Sequence, residues 1–213
     1  MPRRLPRYDL QFGAEARRAL DYVARVETAR SLLSARHTPH IRGYDVEISY
    51  ELAFIRIFLA WETLLEDCFV RLLCGYAHSL GQEPLIAGAN YERNTSSAER
   101  KLLGTRSYVL WHNPEVAIKR CRAFFSGSRY ELVIRSGQTS IEKYAAVRHR
   151  IVHAQEHARH EFDAATMSLV GRRYAASRPG RFLRDWDRGS STPTRWIEKI
   201  SDELEGFAYQ ICV

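Results

Sequence analysis

Long apolar runs are missing from this chain. No stretch approaches the ~20 consecutive apolar residues that a membrane-spanning helix needs, so a helical membrane protein is not expected. Behind the charges of Met1-Pro2-Arg3-Arg4-Leu5-Pro6-Arg7 there is no apolar core, so a secretory signal is not expected and the cytoplasm is the default location. Cysteine is scarce. Cys68, Cys74, Cys121 and Cys212 contain no Cys-x-x-Cys spacing and are scattered through predicted helices, so they read as small core hydrophobes and a zinc knuckle is set aside. Period-two alternation is also missing, as is any internal repeat, which argues against a sheet protein or a solenoid. Lysine is nearly absent as well, with 4 Lys against 28 Arg.

What is present fits an ordinary globular chain. The 213 residues, 45% hydrophobic and 27% charged, suffice for one domain with a real core. The formal charge is +7. A GC-rich coding bias explains arginine replacing lysine, but not where the arginines fall. Seven lie between Arg172 and Arg195, against only Asp185 and Asp187, and such a segment suits a polyanionic partner such as a phosphate backbone.

Apolar residues recur at three- and four-residue steps from Ala14 to about Arg36, predicting a helix that His37-Thr38-Pro39 ends. A second helix is predicted from Tyr44 or Asp45 to about Ala77. Its apolar set (Ile48, Leu52, Ile55, Phe58, Leu59, Trp61, Leu65, Phe69, Leu72 and Leu73) is broad enough for burial on more than one side, marking it as the central helix. Glycines, Pro84 and asparagines break residues 79–112 into loops, with one short helix near Ser96–Leu103. Asn113-Pro114-Glu115 reads as an N-cap, a first-turn proline and a dipole-favoured acid, opening a helix that stops near Gly127. A long helix is predicted from Ser140 to about Val170, then a basic loop or arm over 171–193, then a C-terminal helix within 194–213. The aromatic residues Phe54, Phe58, Trp61, Phe124, Trp196 and Phe207 read as core. The expected fold is all-α: a single domain over 1–213, an up-and-down bundle of four to five main helices, with residues 1–12 as an N-terminal extension and an Arg-rich loop before the last helix.

Chemistry concentrates in Arg148-His149-Arg150-Ile151-Val152-His153. An arginine is a fixed charge for a crowded phosphate, and a histidine exchanges protons near neutral pH. Together they suffice in principle to cleave RNA without metal, since the 2′-hydroxyl supplies the nucleophile. On one straight helix Arg148 and His153 point roughly 140° apart, so a two-fold dimer that brings both pairs into one cleft is the better site. The alternative is a solvated helix face on which charges happen to cluster. His149, His153 and His157 also form an i, i+4 ladder, with His160 beyond, that invites a metal, although no Glu occupies the HExxH position. Glu62 and Glu66, i and i+4 on the central helix, read either as half-buried acids paired with a neighbouring Arg or as support for the site.

The run Arg148 to Ala154 resembles the Arg-polar-x-x-x-His motif of the HEPN superfamily, all-helical domains of toxins, defence systems and RNA-targeting effectors. Ala60-Trp61-Glu62 is similar to the aromatic-Glu pair found mid-helix in some of its families, and the similarity covers roughly residues 14–170. His149 stands where Asn is more frequent. The resemblance implies a homodimeric, metal-independent endoribonuclease leaving a 2′,3′-cyclic phosphate and a 5′-hydroxyl, with no cofactor. Arg148 would bind the scissile phosphate, His153 would be the acid or base, and His149 would assist. Glu62 would anchor Arg148, with Glu66 beside it. Arg150, Arg172, Arg173, Arg178 and Arg181 would contact RNA. A toxin or antiphage effector restrained by an antitoxin or regulatory protein fits this reading. A non-cutting HEPN-like RNA-binding or scaffolding module, and a metal-dependent helical hydrolase built on the histidine ladder, are the alternatives.

Overall fold

The computed structural model describes residues 2–35, 41–189 and 191–213. The protein is mostly helical. In order the helices are α1 (Tyr8–Ala35), α2 (Gly43–Leu73), α3 (Thr95–Leu103), α4 (Pro114–Phe124), α5 (Arg129–Ser136), α6 (Gln138–Val152), α7 (Glu156–Val170), α8 (Pro179–Arg184) and α9 (Trp196–Cys212). Two-residue strands β1 (Ala77–His78) and β2 (Gly81–Gln82) pair antiparallel, Ala77 opposite Gln82. The chain divides into two compact units, one of Met1–Phe12, Trp61–Glu142 and Leu204–Val213, the other of Gly13–Ala60 and Lys143–Glu203.

Helix ends follow local chemistry. Asn94 caps α3 by accepting from Ser97 N at 2.9 Å, and Asn113 caps α4 by accepting from Val116 N at 3.2 Å, with Pro114 in the first turn. The expected α2 end near Ala77 is four residues late, because Gly75 turns the chain at φ +77°. The proposed stop at His37-Thr38-Pro39 lies outside the described residues. Helix α5 was not anticipated. Ser128 accepts from Glu131 N, while the buried Glu83 carboxylate accepts from Arg129 N and Tyr130 N, both at 3.0 Å. A carboxylate on a helix N-terminus satisfies orphan donors and complements the dipole, but Glu83 lies far away in sequence.

In the first unit Phe69 is the hub. Its ring lies 5.3–5.9 Å from Trp111, Phe124, Phe125 and Tyr130, and each such pair adds about 0.5–1.5 kcal/mol beyond burial. The Tyr130 hydroxyl donates to Leu65 O at 3.0 Å. Within the segment expected as an N-terminal extension, Leu5 and Phe12 are buried, Leu5 N donates to Ala77 O, and α1 begins at Tyr8. Cys68 and Cys212 are buried free thiols with sulfurs 3.5 Å apart, Cys121 is buried, and Cys74 is half-buried.

In the second unit Val46, Tyr50, Phe54, Ile57 and Phe58 of α2 are buried with Val147 of α6 and Phe162 of α7. The segment 171–189, expected as a loop or extended arm, is partly helical and packed. It forms a 3-10 turn at Ala175–Ser177 and then α8, with Tyr174, Phe182 and Leu183 buried. Phe182 stacks on Trp196 at 5.3 Å and meets Phe162 and Tyr174 edge-on, so buried aromatics hold the segment in place. Gly180 is required there: a Cβ would collide with the Glu47 backbone carbonyl of α2. Of the aromatic residues assigned to the core, Phe54, Phe58, Trp61 and Trp196 are buried, and Phe124 and Phe207 are half-buried. Two positions of the predicted α2 core face solvent instead, Leu52 (59% exposed) and Leu59 (50%).

Candidate functional site

The largest departure from the sequence expectation falls on the motif. In place of one helix from Ser140 to Val170 there are two, and the break follows Val152 directly. Nothing local marks it, since His153-Ala154-Gln155 contains neither Pro nor Gly. Side chains fix it instead. The Arg150 guanidinium donates from Nη1 to His153 O and from Nε to Ser177 O, both at 3.2 Å, and so satisfies a carbonyl left orphaned at the end of α6. Gln155 is extended at φ −63°, ψ 150° before α7 begins. His153 therefore follows α6 instead of riding on it, although its N–H still donates to His149 O at 2.9 Å.

Despite the break, three imidazoles converge. The His149 and His153 rings meet edge to face with centroids 4.6 Å apart, and His157 lies 6.3 Å from His149. The anchor is Glu161 of α7. Its Oε2 lies 2.7 Å from His149 Nδ1 and its Oε1 lies 3.1 Å from His157 Nε2. A carboxylate on Nδ1 selects the tautomer protonated there and leaves Nε2 of a neutral His149 as a lone-pair base. His160 belongs elsewhere, 3.2 Å from Glu156, which also holds Arg159. Among the described residues no three His, Cys, Asp or Glu side chains form a set that could hold a metal ion. His149 Nδ1 and His157 Nε2 both face the Glu161 carboxylate.

Arg148 stands apart from its neighbours. It is half-buried, and its guanidinium has no hydrogen-bond or ion-pair partner among the described residues. Arg150, expected to contact RNA, is a clamp on backbone carbonyls. Behind it Ser177 sits at φ 45°, a left-handed conformation unusual for serine, with its hydroxyl on Asp163 Oδ1 at 2.7 Å. Asp163, Ser177 and Arg150 thus form one chain of contacts that ends on the backbone of His153.

The glutamates predicted to support the site have other partners. Glu62 Oε1 is 2.8 Å from His112 Nδ1, and Glu66 Oε2 accepts from Trp111 Nε1 at 3.1 Å. Glu62 and Glu66 belong to the first unit and Arg148 to the second, and the partner that Glu62 meets within its own unit is His112. The physical cause is the 104–113 segment, whose Trp111 and His112 meet the Glu62–Glu66 face of α2.

The arginines expected to bind RNA divide into two kinds. Arg172 pairs with Asp185, and Arg178 pairs with Glu47 and lies over the Tyr44 ring at 5.4 Å. Arg184 and Arg195, in the same segment, both reach Glu27, with Arg184 Nε 2.7 Å from Oε1. Burial works against the Glu27 charge, but hydrogen bonds from Arg184 and Tyr50 and the charge of Arg195 hold its carboxyl below the usual value. Arg173 and Arg181 are exposed and have no such partner among the described residues. Glu51 is the opposite case to Glu27. Burial raises its carboxyl, although Gly180 N donates to it at 2.9 Å and Arg178 and Arg150 lie near.

No protein-family model matches the chain, and comparisons with curated proteins and with solved structures give no match. The site is therefore read from its own residues. Glu161, Asp163 and Ser177 were not singled out from the sequence. Only Glu161 had a local signal, its i, i+4 spacing from His157, and its second partner, His149, lies across the helix break.

Proposed function

We propose that the protein is a metal-independent endoribonuclease of the HEPN type, cutting RNA through attack of a 2′-hydroxyl on the adjacent phosphodiester. The observation that carries this reading is Arg148, a half-buried guanidinium without a partner among the described residues, in the same short segment as the paired rings of His149 and His153. An unmatched, partly desolvated cation gains most from an anion that brings its own oxygens, and a phosphate does so bidentately.

In the proposed reaction one imidazole takes the 2′ proton as the 2′ oxygen bonds to phosphorus. Arg148 holds the non-bridging oxygens while charge accumulates on them. The bond from phosphorus to the 5′ oxygen breaks, and an imidazolium delivers a proton to the departing oxygen. The products are a 2′,3′-cyclic phosphate and a 5′-hydroxyl, with no net proton change. His153 is the principal acid or base, and His149, held by Glu161, assists it. Glu161 is a positioning residue, as is Arg150 through the His153 carbonyl.

The same reading includes a HEPN-like bundle and a homodimer whose two-fold axis joins two motif segments in one cleft. An apolar stripe on α2 supports the dimer. Ile48, Leu52, Ile55 and Leu59 follow a four-three-four spacing, with Leu52 and Leu59 exposed, and Val152 within the motif is 51% exposed. Spacing of that kind forms the seam of paired helices. A toxin or antiphage effector in the cytoplasm, restrained by a partner protein, is the biological setting proposed for such an enzyme.

The deciding experiment incubates purified protein with RNA in excess chelator and identifies the product ends. Cyclic phosphate termini that disappear in Arg148→Ala and His153→Ala, with circular dichroism unchanged, are the expected result. Salt-sensitive RNA binding without products would make the protein a binding or scaffolding module. Activity lost in chelator would point to a metal at the histidine cluster.

A further inference from the structure

The unit that lacks the motif contains a cavity of about 740 Å³ between the 105–110 segment, which follows Gly104, and the outer face of α4. Its volume is in the range of small-molecule sites. Its chemistry is one-sided. Arg106, Lys119 and Arg120 line it, and no carboxylate does. The Arg120 Nε is buried without a hydrogen-bond partner among the described residues. A buried donor left unpaired is costly, and the neighbouring Arg122 of the same helix meets a carboxylate, Glu131, at 2.8 Å. Arg120 is further burdened: removal from water, and then the like charge of Arg106, lower its affinity for its own proton. Hydroxyls of Thr105, Ser107 and Tyr108 add further polar groups, while Val109, Leu110, Val116 and Ala123 supply an apolar wall.

We propose that this cavity binds a small phosphate ester with a flat or apolar body, of the size and charge of a nucleotide. The anion answers the Arg120 donor and relieves the repulsion between Arg106 and Arg120. The apolar wall and the Tyr108 ring take the body of the ligand. Guanidinium forks match phosphate oxygens in pairs, and three cations favour a polyphosphate over a single carboxylate. This proposal does not depend on the ribonuclease reading, because it uses none of the residues near Arg148.

Isothermal calorimetry of the full chain tests it with ATP, inorganic pyrophosphate, adenosine and a short RNA bearing or lacking a 5′-phosphate. ATP is expected to bind more tightly than pyrophosphate, adenosine not detectably, and ATP affinity should fall as salt is raised. Arg120→Gln and Arg106→Gln should each weaken ATP about tenfold, while Arg188→Gln on the other unit leaves it unchanged. Arg106 is exposed, so its variant tests the site even where loss of Arg120 harms folding. The proposal is overturned if neither ATP nor pyrophosphate binds, if adenosine binds as well as ATP, if only the RNA binds, or if Arg106→Gln binds ATP like the parent.

Discussion

Two arginine-rich stretches of the second unit look alike in composition and differ in what their charges meet. Between Arg172 and Arg195 the cations are largely answered from within: Asp185 takes Arg172, Glu47 takes Arg178, and Glu27 takes Arg184 and Arg195. Of the two arginines between Arg148 and His153, Arg150 is occupied by two carbonyls and Arg148 has no partner among the described residues. The first stretch carries more positive charge and the second leaves a more available guanidinium. Availability, not count, decides where a phosphate gains most. A cation already hydrogen-bonded to a carboxylate must lose that partner before it can hold another anion.

The sharpest way to break this contrast is to remove one arginine from each stretch. Arg148→Ala should lower RNA cleavage by about a hundredfold to a thousandfold, the cost of one transition-state anion donor. Its melting temperature should stay near that of the parent, because no internal pair is lost. Arg184→Gln should do the reverse, costing about 1–2 kcal/mol of stability by leaving the partly buried Glu27 short of its main partner. Its residual folded fraction should cleave normally. If Arg148→Ala melts much earlier than Arg184→Gln, the two stretches have been assigned the wrong roles.

Stability should register packing in the same region. Gly180→Ala places a methyl group against the Glu47 carbonyl and should cost roughly 1–3 kcal/mol in chemical denaturation. The Glu27–Arg184 ion pair sets a pH dependence. Glu27 is held below its usual value, so the unfolded chain binds its proton more readily than the folded one does. Its stabilising contribution is therefore complete above the unfolded carboxyl value and is lost as pH falls through the lower folded one. Thermal melts should drop in that acidic window, and Glu27→Gln should melt lower at neutral pH with a shallower acid decline. A parallel decline in parent and variant would remove Glu27 from the explanation.

Helix existence was largely legible in the sequence because it depends on local chemistry. The Asn113-Pro114 start of α4 and the Ser96–Leu103 helix needed only their own residues, and both are found within a residue or two of expectation. What escaped was set by distant partners. Glu83 starts α5 from across a loop, Phe162 and Trp196 trap Phe182 in what reads locally as a basic coil, and Arg150 holds the end of α6 where no Pro or Gly marks a stop. The candidate site follows the same division. Arg148, His149 and His153 are visible as a spacing, whereas Glu161 and the Asp163–Ser177–Arg150 contacts require the chain to fold back. The Trp111 and His112 partners of Glu62 and Glu66 escaped for the same reason, since they sit on a segment with no regular pattern.

Glu161→Gln sharpens the comparison at a smaller scale. The amide keeps the shape but loses the charge that holds His149 and His157, so kcat should fall about tenfold with little change in KM. A fall in RNA affinity instead would mean that the cluster binds and does not position.

The smallest effect is expected from the arginines of the basic segment that remain unpaired. Arg173→Ala with Arg181→Ala should weaken single-stranded RNA binding only a few-fold and flatten the plot of log affinity against log salt by roughly 0.7 per arginine. Arg172→Ala with Arg178→Ala removes the same charge, but from residues whose guanidiniums already meet Asp185 and Glu47. That pair should leave the salt slope almost unchanged and lower the melting temperature instead. Filter binding at several salt concentrations, read beside thermal melts of the parent and the two double variants, separates the two. Equal slopes for both double variants would mean that the internal carboxylates yield their arginines to RNA, and partner accounting would then no longer predict which cations are available.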